Sequence, residues 1–288
     1  MTWLIPAKTF LLGEYTAIAE ASAIILTTTP YFELTLTENS ELTGIHPQSP
    51  AGFWWQQQGI KEHGLSWHDP YAGQGGLGAS SAQFLGSYLA GCWLHEKKAC
   101  LDNMLEIYYQ CSWAGKGLRP SGYDVIAQSQ SGCVYINKQR KIIRSYTWPF
   151  HDLSFFLIHT GVKLATHHHL QETTLPKTIN HLSTLVDDAQ QAFESQDSQR
   201  LVNNINSYHE HLTQLNLIAE HSHKLIQQFK KYPEVCAIKG CGALGSDILL
   251  LACSTVDAAA LNQKLRKTKH PILATEKSLS KAPALLPK

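Results

Sequence analysis

The N-terminal part of the chain consists of short apolar runs separated by single breaking residues. The runs TWLI, TFLL, AIILTTT and YFELTLT are rich in the β-branched and aromatic side chains that are enriched in strands. Pro6, Gly13 and Pro30 separate these runs. We therefore predict short strands joined by tight turns in this part of the chain.

The middle of the chain changes to a helical pattern. The segment 44–75 is rich in Gly, Pro, His and Gln, and its run at 53–58 predicts a short helix. Apolar residues then recur at helical spacing over 79–96 and 98–115. GLRPSGYD has the composition of a turn-rich loop, and VIAQSQSGCVYIN predicts a helical or extended passage that ends in a strand.

A second set of elements follows from LSFFLIHTG at 153–161, which predicts a new strand. The segment 177–231 has Leu at helical spacing with few Gly or Pro, and predicts two or three helices. The segment 233–253 predicts a strand, a glycine loop and another strand, and the tail from 264 onward has no clear pattern. We predict an α+β protein with two halves, 1–150 and 151–288.

Composition and charge exclude several classes of function. Of the 288 residues 43% are hydrophobic and 16% are charged, so the chain can bury a core. Lys and Arg number 24 against 23 Asp and Glu, and this balance argues against nucleic acid or an anionic membrane as a partner. No apolar stretch reaches the ~18 residues of a membrane span.

The location is predicted from the cysteines and the N-terminus. The seven cysteines include no C-x-x-C pair, so we expect reduced and mostly buried thiols instead of a zinc site. The N-terminal segment lacks the basic and apolar regions of a signal peptide. A cytoplasmic location is therefore expected.

The segment GQGGLGASSA at 73–82 is the first candidate for chemistry. A Gly/Ser linker is one interpretation, but the segment runs directly into the predicted helix from residue 79. A glycine loop that opens a helix presents free backbone N–H groups to an anion, which favours a phosphate cradle. PAKTFLLGEY (6–15) and KGCGALGSD (239–247) are two more glycine-containing segments beside apolar runs. Glycines that merely end elements are the alternative.

The order of these segments resembles the GHMP kinase family, which includes galactokinase, homoserine kinase, mevalonate kinase and phosphomevalonate kinase. PAKTFLLGEY is similar to the first motif of the family, and GGLGASSA to its ATP-phosphate loop. SGYD at 121–124 is similar to the segment that carries the catalytic aspartate, and KGCGALGSD to the third motif. The resemblance implies the GHMP kinase fold, with a ribosomal-protein-S5-like N-terminal half and a ferredoxin-like C-terminal half.

The resemblance also implies phosphoryl transfer from ATP, with Mg²⁺, to a small molecule. The P-loop pattern G-x-x-x-x-G-K-[ST] is absent, although the physics of binding phosphates to backbone N–H groups is shared. The hydroxyl of Ser80 is the candidate contact for Mg²⁺. The implied phosphate-binding residues are Gly75, Gly76, Leu77, Gly78, Ala79, Ser80 and Ser81.

Three residues are candidates for catalysis. Asp124 can take the acceptor proton or orient the acceptor hydroxyl, and Lys8 beside it would keep the carboxylate ionised. An ordinary β-turn at Asp124 and a surface lysine at the edge of a strand are the alternatives. Thr166 resembles a threonine that contacts the aspartate or the acceptor in the mevalonate-type kinases, and an N-cap is its alternative.

A small anionic acceptor is expected. Its candidate contacts, each of which has a solvated or structural alternative, are Glu14, Tyr15, Arg119, Ser121, Lys163 and Gly242. The HHH run at 167–169 is not interpreted as a metal site, because adjacent side chains diverge on a helix or a strand.

Details of the motifs favour the phosphomevalonate kinase branch. Gly13-Glu14-Tyr15 resembles the GEY of phosphomevalonate kinases, and no acidic residue lies between Glu106 and Asp124, where mevalonate kinases carry a Mg²⁺-binding glutamate. Mevalonate kinase is the alternative, because the PSG sequence at 120–122 is similar to the motif of that enzyme. A homologue that binds nucleotide or metabolite without turnover is the other alternative. A monomer or a homodimer is expected.

Overall fold

The computed structural model of the chain describes residues 1–162, 179–245 and 247–282. Its strands form two sheets, and helices pack against both, which confirms the α+β class. The first sheet draws its strands from residues 2 to 146, and the second draws its strands from residues 153 to 275. One continuous apolar core includes side chains of both parts, so the boundary at residue 150 stays a prediction.

Two long antiparallel strands replace the four short ones predicted at the N-terminus. They are β1 (Thr2–Leu12) and β2 (Ala23–Thr37). Their register shifts between Ile5 and Ala7, so the strands continue past Pro6 and Pro30 across an irregularity. Proline has no N–H for the ladder, and a bulge lets a strand pass it without ending.

The remaining strands of the first sheet pair with the long strand β2 or extend from it. β4 pairs with the C-terminal part of β2, β5 pairs with its N-terminal part, and β1 lies along its other side. The sheet order is β3-β4-β2-β5-β6, with only β3 and β4 parallel. The new strands are β3 (Leu42–Thr43), β4 (Gly64–His68), β5 (Cys133–Asn137) and β6 (Ile142–Tyr146).

Four helices accompany this sheet. Ser49 caps α1, whose first residue is Pro50, and Phe84 and Tyr88 of α2 are fully buried. Both longer helices end earlier than their patterns predicted, and α4 begins within SGYD. The helices are α1 (Pro50–Gln57), α2 (Ala79–Leu94), α3 (Leu101–Ser112) and α4 (Tyr123–Gln128).

The second sheet is antiparallel with the order β10-β7-β9-β8. Among the described residues, three helices lie between β7 and β8 in sequence, in agreement with the two or three predicted for 177–231. The strands are β7 (Leu153–His159), β8 (Val235–Cys241), β9 (Ile248–Ser254) and β10 (Ile272–Thr275). The helices are α5 (Ile179–Ser195), α6 (Ser198–Gln214), α7 (Glu220–Phe229) and α8 (Ala258–Leu265).

The C-terminal tail, which had no clear sequence pattern, returns to the first sheet. Leu279 forms a bridge with Thr28 of β2, and the hydroxyl of Ser280 lies 2.7 Å from that of Thr27. Both of these hydroxyls are buried, so the contact joins the end of the chain to the N-terminal half.

All seven cysteines are free. Cys133, Cys241 and Cys253 are buried, whereas Cys100 and Cys236 are exposed, so fewer thiols are buried than expected. Among the described residues no helix is long and apolar enough to cross a membrane.

Candidate active site

The glycine loop, residues 73–78, leads into α2 in a conformation that requires glycine. Gly78 precedes the helix with φ +77°, and a Cβ atom there would lie 2.7 Å from Lys8 Cγ. A larger residue would be strained in this left-handed conformation and would also displace Lys8. No side chain caps this helix end within the described part of the chain, so its first N–H groups can meet a ligand.

Backbone contacts hold the glycine loop in place from both sides. The N–H of Lys8 donates to the carbonyl of Leu77 at 2.9 Å, and Leu77 is buried. Gln128 Nε2 donates to the carbonyl of Gly78 at 3.0 Å and to that of Pro6 at 2.9 Å. The loop is therefore attached to β1 and α4 before any ligand binds.

The second sheet contacts the same loop. A Cβ atom on Gly76, where φ is +81°, would lie 2.9 Å from Asp247 Cβ and 3.0 Å from Ile248 Cδ1. The loop between β8 and β9, which carries the third motif, thus lies directly against the loop of the second motif. The two glycine-containing segments therefore meet in the folded chain.

The two serines at the start of α2 differ in exposure. Ser81 is buried and its hydroxyl donates to the carbonyl of Gly78 at 2.9 Å. Ser80 is exposed, so of the two it is the one whose oxygen is available to a metal ion or a phosphate. No group of three or more His, Cys, Asp or Glu side chains that could hold a metal occurs among the residues described.

Asp124 and Lys8 form an ion pair beside the glycine loop. Lys8 Nζ lies 2.8 Å from Asp124 Oδ1, and the lysine side chain is 9% exposed while the aspartate side chain is 34% exposed. The Phe10 ring lies 5.0 Å from the same Nζ. The carboxylate therefore faces solvent on one side and a nearly buried cation on the other.

The SGYD segment is shaped by a second left-handed glycine. Gly122 has φ +75° and begins α4, and a Cβ atom there would lie 2.7 Å from the hydroxyl of Tyr109. That hydroxyl donates to the carbonyl of Ser121 at 2.9 Å. Burial, and then the nearby charge of Asp124, raise the pKa of Tyr108, so this phenol stays protonated near the carboxylate.

Glu14 and Tyr15 are buried in the interior, in contrast to their predicted role as substrate contacts. Glu14 Oε1 lies 3.0 Å from Nζ of the fully buried Lys239, and burial raises the pKa of Glu14 while the lysine opposes that rise. The Tyr15 hydroxyl accepts from the Leu244 N–H at 3.0 Å and donates to the Leu217 carbonyl at 3.4 Å. These contacts give both residues a structural role between the two halves.

The other predicted acceptor contacts lie in different places. Arg119 is on the surface and pairs with Glu20, whereas Ser121 lies at the start of the α4 turn. Gly242 has φ +81° and open space where a Cβ would be. Thr166 and Lys163 lie outside the described residues.

Sequence reasoning missed several residues that shape the site. Gln128 is buried and bridges Pro6 and Gly78, but a glutamine in a short helix has no distinctive pattern. Lys239 interrupts the apolar run VCAIKGC. A single charged residue within a predicted strand could have indicated a buried ion pair at this position. Leu244 adopts a left-handed conformation with φ 54°. Its N–H donates to the Tyr15 hydroxyl, and its carbonyl accepts from the Ala219 N–H. A leucine in the sequence gives no indication of this conformation.

The arrangement brings together the parts needed for a reaction of an anion. A helix N-terminus and a glycine backbone can bind phosphates, and an ionised carboxylate beside them can accept or orient a proton. The Lys8 ammonium lies between the carboxylate and the loop, where it can stabilise negative charge.

Known proteins match this chain in structure and not in sequence. No protein-family model matches the sequence, and no curated protein is significantly similar to it. The mevalonate kinase of Methanococcus jannaschii superposes with a TM-score of 0.72 and 14% identity, covering 96% of this chain and 97% of that one. The Streptococcus pneumoniae phosphomevalonate kinase, solved with phosphomevalonate and AMPPNP, has a TM-score of 0.74 and 12% identity over 96% and 99%.

A third similar structure has a different acceptor. The galactokinase of Lactococcus lactis, solved with galactose, has a TM-score of 0.70 and 9% identity, covering 98% of this chain and 93% of that one. Because the three structures match over nearly the whole length, the fold extends through both halves. The chain therefore has the fold of the GHMP kinases, mevalonate and phosphomevalonate kinase among them, as the order of its motifs predicted.

Proposed function

We propose that this protein is an ATP-dependent small-molecule kinase. The observation that carries the proposal is the 2.8 Å ion pair between Lys8 and Asp124 beside Gly78. It joins a proton acceptor to a phosphate cradle, and the residues come from three separate motifs. In phosphoryl transfer, positioning and electrostatic stabilisation supply nearly all of the catalysis.

Asp124 is the proposed catalytic residue. Its partly exposed carboxylate accepts the proton of the acceptor hydroxyl, or orients that hydroxyl, while the phosphoryl group is transferred. For an acceptor that is already a phosphate, no proton has to be removed, and the carboxylate serves to orient the acceptor and bound water. Lys8 holds the carboxylate in place and stabilises charge that develops on the transferred group.

The residues present fit ATP and Mg²⁺. Gly76 and Gly78 lack a Cβ that would collide with Asp247 and Lys8, so the loop can take its close-packed, left-handed path, and α2 presents its uncapped N-terminus to phosphates. Mg²⁺ usually takes one or two protein oxygens besides the phosphates, and exposed Ser80 can supply one of them. The ion would neutralise charge on the phosphates, and Thr166 and Lys163 stay predicted contacts of the acceptor.

Phosphomevalonate is the proposed acceptor, which places the protein in the mevalonate route to isoprenoid precursors. The GEY wording and the lack of an acidic residue between Glu106 and Asp124 favour it. A structural neighbour that binds phosphomevalonate and AMPPNP supports the same choice. Mevalonate is the second candidate, because a mevalonate kinase has the same fold. We also propose a cytoplasmic location, which the free cysteines support.

The test is Mg²⁺-ATP turnover measured by coupled ADP release. Phosphomevalonate and mevalonate are tested side by side with the wild type and with Asp124→Asn, and Asp152→Asn is the matched surface control. We expect turnover of phosphomevalonate that falls by about 10²- to 10⁴-fold in Asp124→Asn only. Turnover of mevalonate alone would select the second candidate. ATP binding without turnover of either would indicate a non-catalytic binding protein.

A further inference from the structure

Two cations share one carboxylate close to the SGYD segment. Arg119 Nη2 lies 2.7 Å from Glu20 Oε1, and Lys138 Nζ lies 2.6 Å from the same oxygen. A single negative charge cannot neutralise two positive ones, so this cluster keeps an excess of positive charge. The hydrogen bond from Lys138, together with the charges of Lys138 and Arg119, lowers the pKa of Glu20 against the opposing effect of burial, so Glu20 stays ionised.

The two cations are held in position by Tyr109. The Arg119 guanidinium stacks on the Tyr109 ring at 4.4 Å, and Lys138 Nζ donates to the Tyr109 hydroxyl at 2.8 Å. Arg119 is half-exposed, and its remaining N–H donors make no hydrogen bond to any residue that the structure describes. A guanidinium fixed by stacking, with free donors, is suited to bind a planar carboxylate or a phosphate.

A hollow opens in front of this cluster. It has a volume of about 270 Å³ and is lined by Glu20, Arg119, Ile18, Leu118 and Ser121 among others. Arg119 also lines a second hollow of about 480 Å³, together with Glu106, Tyr109 and Trp113. An anionic group can therefore reach the guanidinium from solvent, and the first hollow has the size of a small metabolite.

The cluster lies within reach of the proposed catalytic carboxylate. Ser121 lines the hollow and precedes Asp124 by three residues, a separation that spans at most about 11 Å. The carbonyl of Ser121 accepts from Tyr109, which also holds both cations. This separation is short enough for one small molecule to extend from the hollow toward Asp124.

The Glu20 side chain can move aside when an anionic group of a ligand binds to the two cations. The backbone of Glu20 is held by its N–H, which donates to the Ala17 carbonyl, and by its carbonyl, which accepts from Gln139. Its side chain is 37% exposed and can rotate away from the two cations without moving the backbone. An exposed ion pair of this kind contributes little to stability, so a ligand can displace it.

We propose that Arg119 and Lys138 form an anion subsite, which binds the carboxylate group of the acceptor, remote from the reacting oxygen, and that Glu20 fills this subsite in the free protein. The inference rests on the proposed function, since the acceptor is that of the proposed kinase. It adds Lys138 and Glu20 to the site and names the charge that the acceptor carries at its far end.

The test measures binding separately from turnover. Phosphomevalonate and mevalonate are titrated by calorimetry into ATP-free wild type, Arg119→Met, Lys138→Met and Glu20→Gln. Arg144→Met is the matched control, because Arg144 also pairs with one glutamate on the surface. We expect the Met variants at Arg119 and Lys138 to bind about tenfold more weakly. We expect Glu20→Gln to bind about two- to fivefold more tightly, since the competing charge is gone.

The two probes distinguish the phosphate from the carboxylate as the bound group. An equal loss with both probes assigns the subsite to the carboxylate that they share, whereas a loss confined to phosphomevalonate would place the cations at the reacting phosphate and overturn the remote subsite. Equal affinity of Arg119→Met, Lys138→Met and Arg144→Met, or no binding of either probe to the wild type, would overturn the subsite. Should Lys138→Met fail to fold, Arg119→Met and Glu20→Gln still decide.

Failure of the proposed function has a different signature. Normal acceptor binding that depends on Arg119 and Lys138, without ADP release, would keep the subsite and reject the kinase activity. ADP release with full affinity in the two Met variants would keep the kinase activity and reject the subsite.

Discussion

The carboxylate of Glu14 lies 3.0 Å from Nζ of Lys239, with the two side chains 2% and 0% exposed. Glu14 follows β1 of the first sheet, and Lys239 belongs to β8 of the second. The pair thus connects the segment of the first motif to the strand that leads into the third. The Tyr208 ring lies 5.7 Å from the same Nζ. This buried contact holds together the two halves that carry the candidate site.

Removing one partner of this pair should destabilise the protein strongly. Lys239→Met leaves the Glu14 carboxylate buried without a counter-ion, and we expect the free energy of unfolding in urea to fall by about 3–5 kcal/mol. Lys224→Met, which disrupts the fully exposed pair with Glu220, is the control and should unfold like the wild type. The double variant Glu14→Gln/Lys239→Met should recover part of the loss. Equal stability of the two single Lys variants would contradict the structural role.

His209 should make stability depend on pH below neutrality. Burial, and then the charges of Lys230 and Lys239, lower the pKa of His209 from 6.5 to about 4. Protonation between these values favours the unfolded chain, so this contribution is complete above about pH 6.5 and is lost as the pH falls toward 4. At pH 5 the loss is about 2 kcal/mol relative to pH 7.

The contribution of His209 is measured by urea unfolding at pH 7 and pH 5. His209→Gln should lose about 2 kcal/mol less than the wild type over this interval, whereas exposed His151→Gln should follow the wild type. If His209→Gln shows the same pH dependence as the wild type, His209 is not the group that titrates.

Gly78 and Gly73 offer a matched pair for the glycine loop. Both have φ +77°, but a Cβ on Gly78 would lie 2.7 Å from Lys8 Cγ, whereas nothing lies within 4 Å of one on Gly73. Each substitution to Ala costs roughly 1–2 kcal/mol of backbone strain. Only Gly78→Ala should also displace Lys8 and the phosphates, so its ATP affinity in calorimetry should fall at least about tenfold below that of Gly73→Ala. Equal affinities would place the phosphates elsewhere.

Lys8 should affect turnover more than it affects folding. In Lys8→Met the carboxylate of Asp124 loses its partner at 2.8 Å, and we expect kcat to fall by about 10²-fold or more, with partial recovery in Lys8→Arg. The KM for ATP should change less than kcat, because the backbone of the loop is intact. Lys264→Met, which breaks the pair with Glu234, should keep normal kcat. A normal kcat in Lys8→Met would remove Lys8 from the proposed mechanism.

Two of the segments that the sequence singled out have local conformations that favour glycine. GGLGASSA and SGYD need glycine at positive φ, and both Gly78 and Gly122 adopt it. The order of the motifs predicted the fold through its resemblance to the GHMP kinases. The pairing of Lys8 with Asp124 was expected from the same motifs, and the 2.8 Å contact agrees with that expectation.

Long-range packing decided what local patterns do not encode. The sequence predicted that strands end at Pro6 and Pro30, yet a register shift lets β1 and β2 continue past them. The hydrogen bonds along the rest of both strands outweigh the one that a proline cannot donate. The sequence predicted that Glu14 and Tyr15 contact the substrate, but both are buried between the two halves. There Glu14 pairs with Lys239, and the Tyr15 hydroxyl accepts a hydrogen bond from the Leu244 N–H.

The surface cluster of Glu20, Arg119 and Lys138 and the contact of the C-terminal tail also depend on long-range packing. Glu20, Arg119 and Lys138 are far apart in sequence, and only the folded chain places both cations on one carboxylate oxygen. The contact of Ser280 with Thr27 joins residues that are 253 positions apart. A sequence pattern reports the conformation of neighbouring residues, whereas burial and charge pairing between distant segments exist only once the sheets and helices have packed.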